Sequence, residues 1–414
     1  MSMKTAPVDD ACPQRRILGM SQNVFVLGLI SFFADMGGEA ISRSLPLFLS
    51  STLGVKTSII GLIEGIADTT ATVLKIFSGW ISDRLGKRKP IVLWGYCMSG
   101  LSRPLYFFAA SWPFVLALRF TDRAGKGIRN SARDALLADS SDPEHQGRAF
   151  GWARAMDPLG AVVGLLIAAI AVTYANRGAM AMTRGAFQSI VLAAVVPSIL
   201  MVALLALFVR DVPTSKQAGS APSLSLTGFD SQFRSLLLIT VVFTLGNSTD
   251  AFLVLRARDL GLDVVQVLAL LALFSVVASL TAYPAGVVSD RLGRRGVIIA
   301  GWTVYGLIYL GFAFAQSAWH VWVLYSLYGA YYGLTEGAAK ALVADVVPSA
   351  KRGTAYGLYN AAIGISALPA SVIAGALWQR FGAPAPFIFG AVLALAATLM
   401  LLVMIKPGKG EQVG

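Results

Sequence analysis

Apolar runs alternate with short groups of charged residues from position 21 to position 405, and each run has about the 20 residues that one membrane-spanning helix needs. A strand of a membrane β-barrel would instead alternate apolar and polar positions over about 10 residues. The run length therefore predicts helices. We place twelve spans at 21–50, 58–82, 90–110, 113–135, 147–173, 186–209, 233–257, 263–289, 297–316, 319–342, 352–376 and 384–405.

The spans fall into two groups of six, separated by a polar stretch rich in serine. Such a stretch is typical of a linker between two bundles, and little of the chain is left for a separate soluble domain. We therefore predict a tail, an N-terminal six-helix bundle, a linker, a C-terminal six-helix bundle and a second tail, at 1–20, 21–209, 210–232, 233–405 and 406–414.

Composition narrows the class of protein. The chain has 414 residues, of which 56% are hydrophobic and 14% are charged. An average soluble domain is about 45–50% apolar and about 25% charged, and a disordered chain has even fewer apolar residues. The composition therefore argues against both a soluble domain and a disordered chain. The two cysteines, Cys12 and Cys97, are too few for a secreted disulfide scaffold. A membrane protein with many spans remains.

The formal net charge is +12, and the basic residues concentrate in alternate connections between the spans. Cytoplasmic loops retain lysine and arginine, so this pattern predicts a topology and not a nucleic-acid partner. Both tails, the linker and the most basic loops fall on one side of the membrane. We predict a multi-pass protein of a bacterial cytoplasmic (inner) membrane with both termini in the cytoplasm.

The two halves of the chain share an internal repeat. The segment GWISDRLGKR at 79–88 recurs as GVVSDRLGRR at 286–295, an offset of 207 residues. Segment 138–151 is echoed by 344–357, an offset of 206 residues. Because each half holds six spans, both copies face the membrane in the same direction, which predicts parallel repeats about an axis along the membrane normal.

Segment 79–88 resembles motif A of the major facilitator superfamily, and its copy lies at the equivalent place in the second half. The resemblance covers essentially the whole chain, including the span count, the parallel halves and the position of the linker. It implies a bacterial-type secondary transporter with twelve helices and an all-α membrane fold. In that fold, two parallel-repeat six-helix bundles rock around a central cavity near the middle of the bilayer.

The resemblance also implies a cytoplasmic gate in which Asp83 contacts a neighbouring helix end or an arginine. The basic residues of the motif have a simpler interpretation, which is that they only fix the topology. The residues of motif A and its repeat are Gly79, Asp83, Arg84, Gly86, Lys87, Arg88, Gly286, Asp290, Arg291, Gly293, Arg294 and Arg295.

Ionisable residues inside spans are costly in hydrocarbon, so each should face a cavity or a partner. Asp35, Glu39 and Arg43 in the first span are spaced by four residues and share one helix face. We expect this face to line the cavity; the alternative is a closed ion pair of Glu39 with Arg43. In the fourth span, we expect Arg123 and Lys126 to lie opposite Asp35 and Glu39, unless they form only the cytoplasmic end of the helix.

The other spans offer fewer candidates. Arg103 is interpreted as a partner of Glu64 or Asp68, which are themselves candidates for a proton site or an ion pair between bundles. Tyrosines of the tenth span either stack on a substrate or pack in the protein core. In the same span, Glu336 and Lys340 are four residues apart and can pair with each other.

The proton-coupling candidates are Asp35, Glu39, Glu64, Asp68 and Asp250. The substrate-binding candidates are Arg43, Arg103, Asp122, Arg123, Lys126, Asn247, Tyr328, Tyr331, Tyr332 and Glu336.

Several classes of site are not indicated by the sequence. The two histidines, His145 and His320, lie far apart, and no cluster of histidine and cysteine predicts a metal or cofactor. The sequence contains neither a phosphate-binding loop nor a nucleophile elbow, so it does not predict an enzyme. The fifth span lacks the glycine-rich signature of drug antiporters, because Asp157 replaces a glycine, although Gly160 and Gly164 keep a face of small residues for helix packing.

We interpret the chain as a monomeric carrier of a small polar or charged solute, and its expected partners are that solute, protons and the lipid bilayer. A carboxylate buried beside a basic residue can exchange a proton for an ion pair, which favours proton coupling. Efflux is the preferred direction. The alternatives are uptake or exchange of an anionic metabolite, which the deep Arg and Lys residues favour, and a non-transporting membrane sensor or scaffold.

Overall fold

The structure, a computed structural model, describes residues 16–55, 57–176, 182–212, 226–247, 250–262 and 264–405. Within these residues the chain forms one hairpin and thirteen α-helices. The strands are β1 (Arg16–Ile17) and β2 (Met20–Ser21). The helices are α1 (Gln22–Ser51), α2 (Thr57–Leu85), α3 (Lys89–Leu105), α4 (Trp112–Asp139), α5 (Gln146–Asn176), α6 (Arg184–Phe208), α7 (Ser231–Gly246), α8 (Asp250–Asp259), α9 (Val264–Leu292), α10 (Arg294–Phe314), α11 (Ala318–Val346), α12 (Arg352–Phe381) and α13 (Pro384–Met404). Most of both predicted tails and positions 213–225 of the predicted linker lie outside the described residues.

The predicted seventh span is not one continuous helix, and the structure corrects this expectation. It consists of α7 and α8, and α7 ends at Gly246. The next residue, Asn247, has the non-helical dihedral angles φ −89° and ψ 81°. The local sequence Gly246-Asn247-Ser248-Thr249 explains the break, because each of these residues is a weak helix former.

Seven helical segments of the described chain are long and apolar enough to cross a membrane: Gln22–Ser51, Pro143–Val172, Arg184–Phe208, Ala269–Leu292, Arg294–Phe314, Ser349–Phe381 and Pro384–Met404. Large apolar side chains are exposed on several helices; Trp94, Leu280 and Val403 are 70%, 71% and 85% exposed. By contrast, α4 carries many charged residues along its length. This combination fits lipid around the outside and a polar interior.

The helices pack as two bundles with equivalent contacts. In the first half, α1 packs against α5 and α6, and α4 packs against α2 and α3. In the second half, α11 packs against α9 and α10, and α13 packs against α7 and α10. The halves meet mainly where α2 packs against α12 and where α5 packs against α9, which are equivalent pairs under the internal repeat.

The small-residue face of α5 lets it approach α1 closely, as the sequence predicts. A Cβ atom on Gly160 would lie 2.2 Å from the carbonyl oxygen of Phe32. One turn later, a Cβ atom on Gly164 would lie 2.2 Å from the carbonyl oxygen of Met36. Both distances are far below van der Waals contact, so glycine is required for this helix pair.

Candidate functional site

A cavity of about 310 Å³ lies between α1, α4 and α5 of the first half and α9 and α11 of the second half. Its volume is at the small end of the range for ligand sites, about 300–1,000 Å³. The lining residues are Ala34, Asp35, Glu39, Arg43, Lys126, Arg129, Asn130, Arg133, Arg154, Asp157, Pro158, Ala161, Phe274, Ser275 and Tyr332.

The charged face predicted on α1 lies on the cavity wall. Arg43 Nε donates a hydrogen bond to Glu39 Oε2 at 3.0 Å, and both residues line the cavity. The two alternatives, a cavity-lining face and an ion pair of Glu39 with Arg43, are therefore both present. Asp35 and Lys126 also line the cavity. Within the described part of the chain, neither of these two side chains has a direct hydrogen bond or ion pair. They are therefore the lining charges most available to a proton or a substrate.

Two charged residues of α5 reach the cavity although the sequence analysis did not select them. Arg154 Nη1 donates a hydrogen bond to Asp157 Oδ2 at 3.1 Å, and both residues line the cavity. Arg133 of α4 lies 3.8 Å from Asp157 and donates to Ser31 Oγ at 2.8 Å. The signal that could have identified Arg154 and Asp157 is their three-residue spacing inside an otherwise apolar span.

Ion pairs join the two halves beside the cavity in a cluster of five residues, which we call the inter-bundle cluster: Arg133, Asp134, Arg154, Glu336 and Lys340. Of these five residues, Arg133 and Arg154 line the cavity. Lys340 Nζ donates a hydrogen bond to the buried carboxylate of Asp134. Arg154 Nη1 lies 3.6 Å from Glu336 Oε1. The expected pairing of Glu336 with Lys340 is therefore wrong, because the opposite half supplies a closer partner for each.

Arg103 is buried away from the cavity lining. Its ion pair within the described residues is with Asp122 of α4 at 3.8 Å, and its Nη2 donates to the carbonyl oxygen of Ala34 at 2.9 Å. Within the described residues Arg103 therefore pairs with α4. The side chains of its expected partners, Glu64 and Asp68, lie outside the described residues, so that pairing stays a prediction.

The motif A segment contacts the opposite half at one end of the molecule, which we call the motif A end. Asp83 Oδ1 accepts a hydrogen bond from the N–H of Gly353 at 3.0 Å, and Asp83 Oδ2 accepts from the N–H of Thr354 at 2.6 Å. These two residues begin α12. The carboxylate thus satisfies free N–H groups at a helix N-terminus, where negative charge is favourable.

Arg88 completes this contact and is fully buried together with Asp83. It forms ion pairs with Asp83 and, at 3.1 Å, with Asp139, and its Nη2 donates to the carbonyl oxygen of Ser349 at 2.8 Å. Burial alone would lower the pKa of Arg88, but the two carboxylates outweigh burial and raise that pKa above its usual value. Arg88 therefore stays charged and joins both halves.

The repeat of motif A makes equivalent contacts on the other side of the same end. Asp290 accepts hydrogen bonds from the N–H groups of Gly147 and Arg148 at 2.7 and 2.8 Å. Arg294 pairs with Asp345 and donates to the carbonyl oxygen of Pro143 at 2.6 Å. These contacts are related to those of Asp83 and Arg88 by the offsets of the internal repeat, so the motif A end is closed on two sides.

The profile of the Major Facilitator Superfamily matches residues 27–257 and 236–414. The chain belongs to the Major Facilitator Superfamily. An uncharacterised transporter of this superfamily from Methanocaldococcus jannaschii is 33% identical over 389 residues, 92% of this chain and 95% of the relative. A probable sulfoacetate transporter from Cupriavidus necator is 26% identical over 409 residues, 91% of this chain and 92% of the relative.

Solved structures of the superfamily share the fold. The fucose:proton symporter of E. coli superposes with a TM-score of 0.75 at 15% identity, covering 92% of this chain and 98% of the symporter. At that identity the likeness concerns the fold alone. Together with the family profile, it establishes this superfamily member as a multi-pass membrane carrier built from two helical bundles.

The remaining motif A residues divide into turn-forming and exposed positions. Gly86 and Gly293 have φ angles of +62° and +88°, which glycine adopts without strain. Arg84, Lys87 and Arg291 are exposed. In this superfamily member, Arg295 Nη2 donates to the carbonyl oxygen of Leu402 at 2.6 Å.

Gly79 and Gly286 form close contacts between the halves. A Cβ atom on Gly79 would lie 2.0 Å from the carbonyl oxygen of Gly353, and a Cβ atom on Gly286 would lie 2.2 Å from the carbonyl oxygen of Gly147.

Two of the three candidate tyrosines pack in the core. Tyr328 and Tyr331 are 3% and 4% exposed, and their rings stack 5.6 Å apart. Tyr332 lines the cavity beside Phe274, with ring centroids 5.5 Å apart. For Tyr328 and Tyr331, the structure thus agrees with the packing alternative.

Three of the last four candidates, Asp122, Arg123 and Asn247, are not lining residues of the cavity. Arg123 and Asp122 are on α4 but are not lining residues. Asn247 follows the last residue of α7, and its Oδ1 accepts a hydrogen bond from the hydroxyl of Tyr305 at 3.4 Å. Asp250 begins α8, and its side chain lies outside the described residues.

Proposed function

We propose that this protein carries a small anion across the membrane together with a proton, by alternating access. The observation that carries the proposal is that Asp35 and Lys126 line one cavity and that neither has a direct partner within the described residues. One group can take up a proton and the other can bind an anion. The other lining charges are engaged in ion pairs or in contacts with neighbouring side chains.

The charge of the cavity supports an anionic substrate. Its lining holds five basic residues, Arg43, Lys126, Arg129, Arg133 and Arg154, against three acidic ones, Asp35, Glu39 and Asp157. The excess of basic residues attracts negative charge inside a low-dielectric wall. The probable sulfoacetate transporter of Cupriavidus necator also has, by its name, an anionic substrate.

The same arrangement supports coupling to protons. Protonation of Asp35 removes a negative charge from the cavity and strengthens the attraction of Lys126 and its basic neighbours for an anion. Because binding linkage is reciprocal, a bound anion equally favours protonation of Asp35. Proton and anion then bind together, which supports symport and, with an inward proton gradient, uptake in preference to efflux.

Alternating access requires that the motif A contacts open and close. Asp83 and Arg88 bind α12 and Ser349 of the second half, and Asp290 and Arg294 bind α5 and Pro143 of the first half, so these contacts join the bundles at the motif A end. Rocking of the two bundles would break these contacts and the ion pairs of the inter-bundle cluster, and it would open the cavity on that side. The contacts are buried but polar, so water can replace them when the halves separate.

The test uses purified protein in liposomes with a pH dye inside. Pools of organic anions, sugars, amino acids and cationic drugs are added outside, and the initial pH change is recorded. We expect an anion pool to acidify the interior, and we expect Lys126→Gln to reduce this signal by at least about tenfold. The control Arg380→Gln, which removes an exposed charge in the last turn of α12, should not reduce it. Alkalinisation would indicate antiport, and a signal confined to sugars or cations would overturn the proposal.

A further inference from the structure

The two walls of the cavity differ in chemistry. All eight charged lining residues of the described chain come from α1, α4 and α5 in the first half. The second half contributes Phe274 and Ser275 of α9 and Tyr332 of α11. A substrate in this cavity therefore has a charged surface on one side and an aromatic surface on the other.

The aromatic surface is held in place by other rings. The Phe274 ring stacks on Tyr328 with centroids 5.5 Å apart and meets the edge of Tyr325 at 5.9 Å. Tyr328 and Tyr325 are themselves buried, at 3% and 2% exposure. Phe274 is therefore ordered before any substrate binds, and a preorganised surface costs little conformational entropy on binding.

An aromatic wall makes few favourable contacts with a compact hydrophilic ion, because it cannot replace the hydrogen bonds of the ion's hydration shell as a fully polar cavity can. It offers ring contacts to a flat apolar group, and ligand pockets commonly combine such a surface with a few polar groups that fix orientation. The distribution of residues thus matches a molecule with one charged end and one apolar end.

Resting on the proposed function, we infer that the transported anion carries a single flat apolar group, such as one aromatic ring. This group packs against Phe274 and Tyr332, while the carboxylate or sulfonate of the anion faces Lys126. The cavity volume of about 310 Å³ is large enough for one ring with its acidic group.

The test compares probes that separate charge from ring. Benzoate and acetate share a carboxylate, benzamide keeps the ring without the charge, and benzenesulfonate changes the acid. Binding is measured by calorimetry on the purified full chain. We expect benzoate and benzenesulfonate to bind at least about fivefold tighter than acetate, and we expect benzamide to bind weakly.

Variants of the lining residues show which residues contact the ring of the probe and which contact its acidic group. Phe274→Leu, and independently Tyr332→Leu, should reduce the ratio of benzoate to acetate affinity severalfold with little change for acetate. Lys126→Gln should weaken benzoate and acetate alike. Phe314→Leu is the matched control, because Phe314 is 70% exposed at the end of α10 and is not a lining residue.

The outcomes separate the inference from the proposed function. Equal affinity for acetate and benzoate, or a ratio that neither Phe274→Leu nor Tyr332→Leu changes, overturns the inference while anion transport stands. If no anion in the liposome pools moves, the proposed function itself fails, whatever the ring preference in binding. A benzoate preference lost in both aromatic variants, with acetate retained, supports the inference.

Discussion

The carboxylate of Asp83 holds the first turn of α12 through Thr354, because Asp83 Oδ2 accepts hydrogen bonds from both the N–H and the hydroxyl of that residue at 2.6 Å. Asp83 belongs to the first half and Thr354 to the second, so this contact joins the two bundles directly. Asp290 makes the equivalent contact with the first turn of α5. Two copies of one motif thus hold the same end of the carrier closed.

Neutralising Asp83 should open the motif A end. Asp83→Asn removes the charge that pairs with Arg88 and weakens the hydrogen bonds to α12. Charge-assisted hydrogen bonds of this kind contribute about 1.5–3 kcal/mol, so the ratio of closed to open forms should fall at least about tenfold.

Distances between spin labels measure this change. Labels are placed at Arg84→Cys and Leu292→Cys, both exposed positions, in a chain whose Cys12 and Cys97 are replaced by serine. Asp83→Asn should enrich the longer distance, whereas Glu144→Gln, which neutralises an exposed acid near the same end, should not. An unchanged distribution in Asp83→Asn would show that this contact does not hold the end closed.

Adding one methyl group at Gly79 should prevent closure. The new Cβ atom would lie 2.0 Å from the carbonyl oxygen of Gly353, and the obstacle is backbone that cannot rotate away. We expect Gly79→Ala to lower the transport rate by at least about tenfold at normal expression, as the halves can no longer meet. Gly185→Ala is the control, because nothing lies within 4 Å of its Cβ position. Equal rates for both variants would refute the steric account.

Removing the charge of Lys340 should destabilise the fold. Lys340→Met leaves the carboxylate of Asp134, whose side chain is 1% exposed, without its partner from the second half. Breaking a buried ion pair on one side costs about 3 kcal/mol, and replacing both partners costs less. We therefore expect a lower Tm for Lys340→Met, partial recovery in the double variant with Asp134→Asn, and no change for the exposed Lys87→Met. A double variant with a lower Tm than Lys340→Met alone would contradict this.

The sequence predicted the bundle architecture well because two strong signals agree. The length of each apolar run predicts a spanning helix by itself, and the repeat of 79–88 at 286–295 relates the halves to each other. Both signals are present in the amino-acid sequence itself and need no knowledge of which distant residues come into contact. The break after Gly246 was missed because the residues around it are apolar on average, and hydropathy does not register weak helix formers.

Partners of charged residues were harder to predict because they come from distant segments. The spacing of Glu336 and Lys340 places them on one helix face, but it carries no information about Arg154 and Asp134 on the other half. Asp157 was noted only as a replaced glycine, and its place on the cavity wall depends on the close packing of α5 against α1. The face shared by Asp35 and Glu39 could be predicted, since four-residue spacing fixes it within a single helix.

The most direct test of the account measures anion uptake against external pH in liposomes, for the wild-type protein and for Asp35→Asn. Asparagine imitates the protonated carboxyl group of Asp35. We predict that wild-type uptake rises as external pH falls and brings protons inside, whereas Asp35→Asn exchanges the anion at a rate independent of pH and moves no protons. Proton movement that persists with the anion in Asp35→Asn would contradict the role assigned to Asp35.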